Sequence, residues 1–220
     1  MRALPALLLL VACGATPARA PDPAMAAAGA TATVRSGTGP RCEATGGAVH
    51  LGGGFFVTAA HVVDGSTQRM RGGCPAGLPA ITLGQQGPAR LLKAGRERVD
   101  PVIGQRYLGA EDLAIILPAR PSTMPAATLC ATPPTPGDAA LLVTPGGAIR
   151  TRILRLVVEP DPAFGAYLEI AERLNPGSSG GALFAANGCL AGIVSHRDED
   201  GGPPRTRLVP AATIARFVGP

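Results

Sequence analysis

From residue 42 onward, short apolar runs alternate with breaks rich in Gly and Pro, and almost no stretch carries the 3.6-residue period of an amphipathic helix. Ala48–Leu51, Phe55–Thr58, Ala80–Leu83, Arg90–Ala94 and Leu113–Leu117 predict strands in the first part of the chain. Ala140–Thr144, Ile149–Val158, Tyr167–Ile170, Ala182–Phe184, Cys189–Ser195 and Arg207–Val209 predict strands in the second. Only Pro210–Phe217 predicts a helix, with Pro210 in the first turn and Ile214, Phe217 and Val218 spaced to lie on a core. Between the two groups of strands, residues 118–137 contain six prolines, Pro118, Pro121, Pro125, Pro133, Pro134 and Pro136. Proline removes backbone donors and fixes φ, so this stretch predicts a linker rather than a central strand. The pattern predicts an all-β protein of two small barrels, over 42–117 and 138–220, with a short C-terminal helix.

Composition narrows the class. With 46% hydrophobic and 16% charged residues, the chain is not disordered by low hydropathy and high charge. It has 30 Gly and 23 Pro but no Gly-X-Y period, which excludes collagen. The formal net charge is +5, Lys93 is the only lysine, and the arginines are scattered with 3% aromatics among them. That pattern gives no support to nucleic-acid binding. No metal-ligand spacing stands out, so neither metal nor cofactor is expected.

The five cysteines are an odd count, and the N-terminus accounts for it. Met1-Arg2 is followed by an apolar run over 3–12 that is too short to span a bilayer, which predicts a secretory signal over 1–20. Leu10-Val11-Ala12-Cys13 resembles a bacterial lipoprotein box, with a lipid on Cys13 attaching the protein to a membrane. Ala18-Arg19-Ala20 fits an ordinary cleavage site, and both readings stay open. The expected location is the periplasm or envelope, or alternatively the medium. Cys42, Cys74, Cys130 and Cys189 remain, and in an exported protein they predict two disulfides. Residues 21–41, rich in Ala, Gly, Thr and Pro, predict a flexible tether.

Three segments can carry chemistry. Phe55 to Val63 is a strand pattern ending in small residues, after the run Gly52–Gly54, and it presents His61 at the strand end. Asp112 opens the buried-type run Leu113–Leu117, with Glu111 as a solvated neighbour. A carboxylate partly desolvated there needs donors, and an imidazole N–H is a suitable one. Asn175-Pro176-Gly177-Ser178-Ser179-Gly180-Gly181 is a turn whose glycines allow successive N–H groups to converge beside a presented hydroxyl. The order His61, Asp112, Ser179 is that of the chymotrypsin-type triad, with His and Asp in one half and Ser in the other. Gly177–Gly181 also fits the G-x-S-x-G elbow of α/β-hydrolases. That fold places its acid and His after the Ser, and only His196 follows here, in a chain with almost no helix.

On these motifs the chain resembles the trypsin/chymotrypsin-like serine proteases in their bacterial exported form. Val57-Thr58-Ala59-Ala60-His61 resembles the His motif, Asp112-Leu113-Ala114 the Asp motif, and Asn175 through Gly181 the Ser motif of the Htr/Deg and glutamyl-endopeptidase branches. Gly192-Ile193-Val194-Ser195 resembles the strand that pairs with substrate backbone. The resemblance implies two antiparallel six-stranded barrels and peptide or protein substrates. It implies Ser179 as nucleophile, His61 as general base and Asp112 as its orienter, with the N–H groups of Gly177 and Ser179 as oxyanion hole. By the same carry-over Arg173, Ser195 and His196 would line the specificity pocket and favour an acidic side chain. Ser178 stands where trypsin-type members have the Asp that binds a freed N-terminus, so activation by clipping is not expected. The chain stops at Pro220, just after its predicted helix, so no C-terminal PDZ domain is expected. Four cysteines allow three pairings. Cys42–Cys74, framing the His61 region, and Cys130–Cys189, tying the linker end to the strand after the Ser turn, are expected. The alternative function is a non-catalytic binding or scaffold module on the same fold, against which the intact triad argues.

Overall fold

The computed structural model describes residues 22–100, 104–198, 203 and 205–219. The predicted signal and Cys13 lie outside the described residues. Among the described residues, no helix is long and apolar enough to cross a membrane.

The chain opens with helix α1 (Pro23–Ala27), capped by the Asp22 carboxylate, which accepts from Ala24 N at 3.0 Å. Strands β1 (Thr31–Gly37), β2 (Glu43–His50) and β3 (Phe56–Thr58) follow, then helical turns α2 (Ala60–Val63) and α3 (Ser66–Met70). Next come β4 (Ala80–Leu83), β5 (Gly87–Ala94), the hairpin β6 (Glu97–Asp100) and β7 (Gly104–Tyr107), and β8 (Ala114–Pro118). The second half contains β9 (Ala139–Thr144), β10 (Gly147–Val158), β11 (Ala166–Ile170), β12 (Ala182–Ala185), β13 (Leu190–Asp198), β14 (Arg205–Pro210) and helix α4 (Ala211–Val218). Two closed six-stranded barrels result, ordered β1-β2-β3-β8-β5-β4 and β10-β11-β14-β13-β12-β9, with antiparallel pairing throughout.

β3, β8, β9 and β12 read as continuous apolar runs because both of their faces are covered. In β3, Phe56 points into the first barrel and Val57 into the space between the barrels; Ile116 and Ile115 of β8 divide the same way. In β9, Leu142 fills the second barrel while Leu141 and Val143 face the first. Helix α4 adds Ile214 and Phe217 to this shared layer. Each barrel thus has its own core, and a third apolar layer fixes their relative position.

The structure corrects the expected tether over 21–41. Residues 31–37 form the first strand of the first barrel, paired to both β2 and β4. Its inward residues, Val34 and Ser36, do not look like a core by composition. Ser36 is kept inside because its hydroxyl donates to Val62 O and accepts from Gln68 Nε2 at 3.1 Å. The β6–β7 hairpin was not expected, its polar sequence giving no apolar signal. Residues 119–138 form no strand of the barrels, as the prolines imply. Cys42–Cys74 and Cys130–Cys189 are both bonded, with Cα–Cα distances of 5.6 and 4.9 Å. His50, at the end of β2, is 6% exposed. It stacks on Phe56 at 4.9 Å and its Nδ1 contacts Pro125 O of the linker at 3.1 Å.

Candidate active site

Two residues separate the end of β3 from His61, which lies in the helical turn α2 rather than at the strand end itself. Asp112 precedes β8, the neighbour of β3 in the barrel, so the pairing of these strands brings the two side chains together. His61 Nδ1 stands 2.8 Å from Asp112 Oδ2, and His61 N donates to Asp112 Oδ1 at 3.1 Å. A carboxylate facing Nδ1 holds the proton there and leaves Nε2 as the acceptor.

Asp112 is 2% exposed, and a third donor completes its shell: Ser195 Oγ reaches Oδ2 at 2.6 Å. Burial pushes the Asp112 carboxyl up, but His61 and these hydrogen bonds outweigh it, and the pKa lies below the ordinary carboxylate range. Burial likewise opposes charge on His61. The neighbouring Asp112, with Asp64 further off, outweighs it and raises the imidazole above its ordinary value. Asp64 is itself held by Tyr107 OH at 2.6 Å and Ser66 N at 2.8 Å.

The second barrel supplies the serine turn between β11 and β12. Gly180 N donates to Val194 O at 2.7 Å, Gly181 N to Ser178 O at 3.0 Å, and Ser178 N to Asn175 O at 3.2 Å. Among the described residues, the N–H groups of Gly177 and Ser179 have no backbone acceptor, leaving two donors beside the hydroxyl. The turn rests directly on β2, where Gly47 N donates to Ser179 O at 2.7 Å. A Cβ on Gly46 would stand 2.4 Å from Ser179 O, and one on Gly47 2.8 Å from Gly181. Sequence reasoning singled out Gly52–Gly54 instead. The Gly46-Gly47 pair inside a strand was the available signal for close backbone approach.

His61, Asp112 and Ser179 line one cleft of about 480 Å³ between the barrels. Ser179 Oγ donates to Ser195 O at 3.3 Å, so its hydroxyl is turned toward β13 rather than toward His61. Ser195 and His196 also line the cleft, whereas Arg173 is exposed and outside it. Ser195 spends its single proton on Asp112. The 3.0 Å contact between Ser195 Oγ and His196 Nδ1 therefore has His196 as donor. His196 packs edge to face on Tyr167 at 5.0 Å. Burial, then the Arg106 cation, pushes its pKa down to about 4. The expected pocket triplet is thus divided: Ser195 and His196 form a chain onto Asp112, and Arg173 takes no part. Arg106, which reasoning on the sequence missed, lines the cleft.

The expected substrate-pairing segment moves along the strand. Gly192 and Ile193 are paired on both edges, by β12 and β14, and Val194 is bonded to Gly180 and Gly181. Beyond a bulge at Ser195, β13 keeps only β14 beside it through Asp198, which opens one edge toward the cleft. Among the described residues, no cluster of three or more His, Cys, Asp or Glu could hold a metal ion.

A six-stranded double barrel with a His–Asp pair facing a serine turn is the architecture of the trypsin-like peptidases. The model of the trypsin-like peptidase domain matches residues 37–193, and the chain belongs to that family. Among solved structures it is similar to the active form of the Rv3671c protease from M. tuberculosis, at 20% identity over 99% of this chain and 92% of that one, with a TM-score of 0.63. The inactive form of the same protease is similar at 22% identity, over 92% and 94% of the two chains, with a TM-score of 0.62. The HtrA-type protease AlgW with a tripeptide is 21% identical over 88% of this chain and 60% of that one, with a TM-score of 0.60. At these identities the likeness is one of fold. A search of curated proteins returns no match.

Proposed function

We propose that the protein is a serine endopeptidase of the cell envelope, cutting protein or peptide substrates through an acyl-enzyme on Ser179. The observation that carries this reading is the buried His61–Asp112 pair, which leaves His61 Nε2 as an acceptor in the cleft lined by Ser179. A substrate strand adds to the open edge of β13 and brings its scissile carbonyl to Ser179. The Ser179 hydroxyl swings from Ser195 O to His61 Nε2, which takes its proton as Oγ attacks the carbonyl carbon. The oxyanion that forms meets the N–H groups of Gly177 and Ser179. His61 then passes the proton to the leaving amine as the C–N bond breaks. Water, deprotonated by His61, attacks the acyl-enzyme; the Ser179 ester breaks, the acid leaves, and the proton returns to Ser179. Asp112 keeps the imidazole in its tautomer and stabilises the imidazolium. Proton transfer of this kind contributes roughly 10²–10⁴-fold to the rate. Envelope location rests on the signal pattern over 1–20 and on two disulfides, which suit an oxidising compartment. Attachment through a lipid on Cys13 and free export both fit the sequence.

A fluorophosphonate probe tests the reading. Wild type is expected to be labelled on Ser179, and Ser179→Ala to remain unlabelled. A folded wild type that stays unlabelled would instead be a scaffold on the peptidase fold.

A further inference from the structure

We propose that Arg106 makes the cleft select substrates with an acidic side chain in the segment lying along β13. The inference rests on the peptidase reading and names its substrate class.

Arg106 stands on β7, on the first barrel's side of the cleft that holds Ser179 and His196. Its side chain is half-buried, yet among the described residues its Nη1 donates only to the neighbouring Gln105 O, at 3.1 Å. Its Nε is buried without a partner, and among the described residues no carboxylate pairs with it. Other arginines of the molecule do find one: Arg69 pairs with Glu97, Arg150 with Asp22, and Arg207 with Glu159. A guanidinium carries five donors in a fork that fits a carboxylate. Partly withdrawn from water, with Nε buried and no carboxylate beside it, it leaves donors that a ligand can satisfy.

The rest of the cleft points the same way. Among the described residues Asp112 is the only carboxylate that lines it, and its oxygens already accept three donors. His196 does not compete for an acidic side chain, because its Nδ1–H is given to Ser195 and its other nitrogen is then an acceptor. Tyr167 and His196 form uncharged walls beside the cation. The field of Arg106 already reaches His196, disfavouring its protonation. An acidic side chain is thus the complement the cleft lacks, read by Arg106 and not by Arg173.

The test uses quenched fluorescent peptides carrying Glu or Gln at each position in turn, with wild type, R106Q, R106K and R106E. Fluorophosphonate labelling of every sample is followed in parallel. Wild type is expected to prefer Glu over Gln at one position by about 10- to 100-fold in kcat/KM, as a charge-assisted pair gives. R106Q should lose that preference while still taking label on Ser179, and R106E should invert it. A Glu-to-Gln ratio near one in wild type, or an unchanged ratio in a labelled R106Q, overturns the proposal. Should R106Q fail to fold, R106K decides: a retained preference supports the charge, and a neutral one rejects it. A wild type that takes no label removes the peptidase reading itself, an outcome separate from a labelled enzyme without acidic preference.

Discussion

Two histidines line the cleft, and both reach Asp112. His61 touches the carboxylate directly, and His196 reaches it through Ser195. Burial disfavours charge on both, yet their pKa values move apart: His61 is raised and His196 falls to about 4. The difference lies in the nearest charge. Asp112 and Asp64 raise His61, whereas at His196 burial, Arg106 and Arg207 act against the upward pull of the same Asp112. His61 is thereby fitted to take up a proton and His196 to remain neutral beside a cation. Desolvation alone would have made the two residues alike.

Removing the charge at the shared carboxylate breaks the comparison most severely. D112N is expected to lower kcat by about 10⁴-fold, because the amide no longer holds Nδ1–H toward itself or stabilises the imidazolium. Steady-state kinetics beside unchanged circular dichroism would check it; a loss below tenfold would refute the assigned role. Cutting the link between the two histidines has a smaller effect. S195A removes one of three donors to Asp112 and the acceptor for His196 Nδ1–H. A fall of about 10- to 100-fold in kcat, with the acid limb of the pH profile displaced, is expected. A change confined to KM would show that Ser195 only shapes the cleft.

The smallest effect is on the titrations themselves. Imidazole resonances should place His61 above the unperturbed value of about 6.5 and His196 near 4, with R106Q moving His196 upward. The proposed mechanism requires neutral His61, so activity is expected to fall as pH drops through the raised value. The contributions to stability have opposite signs. Between about pH 4 and 6.5 the unfolded chain binds more protons at His196 than the folded one does, so this contribution is present above 6.5 and fades toward 4. The raised His61 contributes below 6.5 and loses that contribution as pH rises through its folded value. Thermal melts of wild type and H196Q across this range would separate the two.

Legibility in the sequence followed the range of each interaction. Phe56–Thr58, Ala139–Thr144 and Ala182–Ala185 were readable because apolar runs, glycine turns and prolines act locally. β1 was not: its inward Ser36 is apolar in effect only because Val62 and Gln68 satisfy it from other elements. His61, Asp112 and Ser179 were legible through motif and order. The split of Ser195, His196 and Arg173 was not, because orientation depends on a bulge at Ser195 and on which strand packs opposite. The Gly46-Gly47 pair was visible, but its meaning depended on the serine turn lying against it.

An all-β chain in two halves, the proline-rich crossing and the three residues proposed to carry the chemistry are already specified in the linear chain. Those features are written in local pattern and in chain order. Packing alone sets that the barrel starts at Thr31, that Asp112 receives three donors, and that Arg106 rather than Arg173 lines the cleft. Each depends on burial and on partners distant in sequence. A side chain's charge and donor count are set by its type, but their consequence is set by what packing brings beside them.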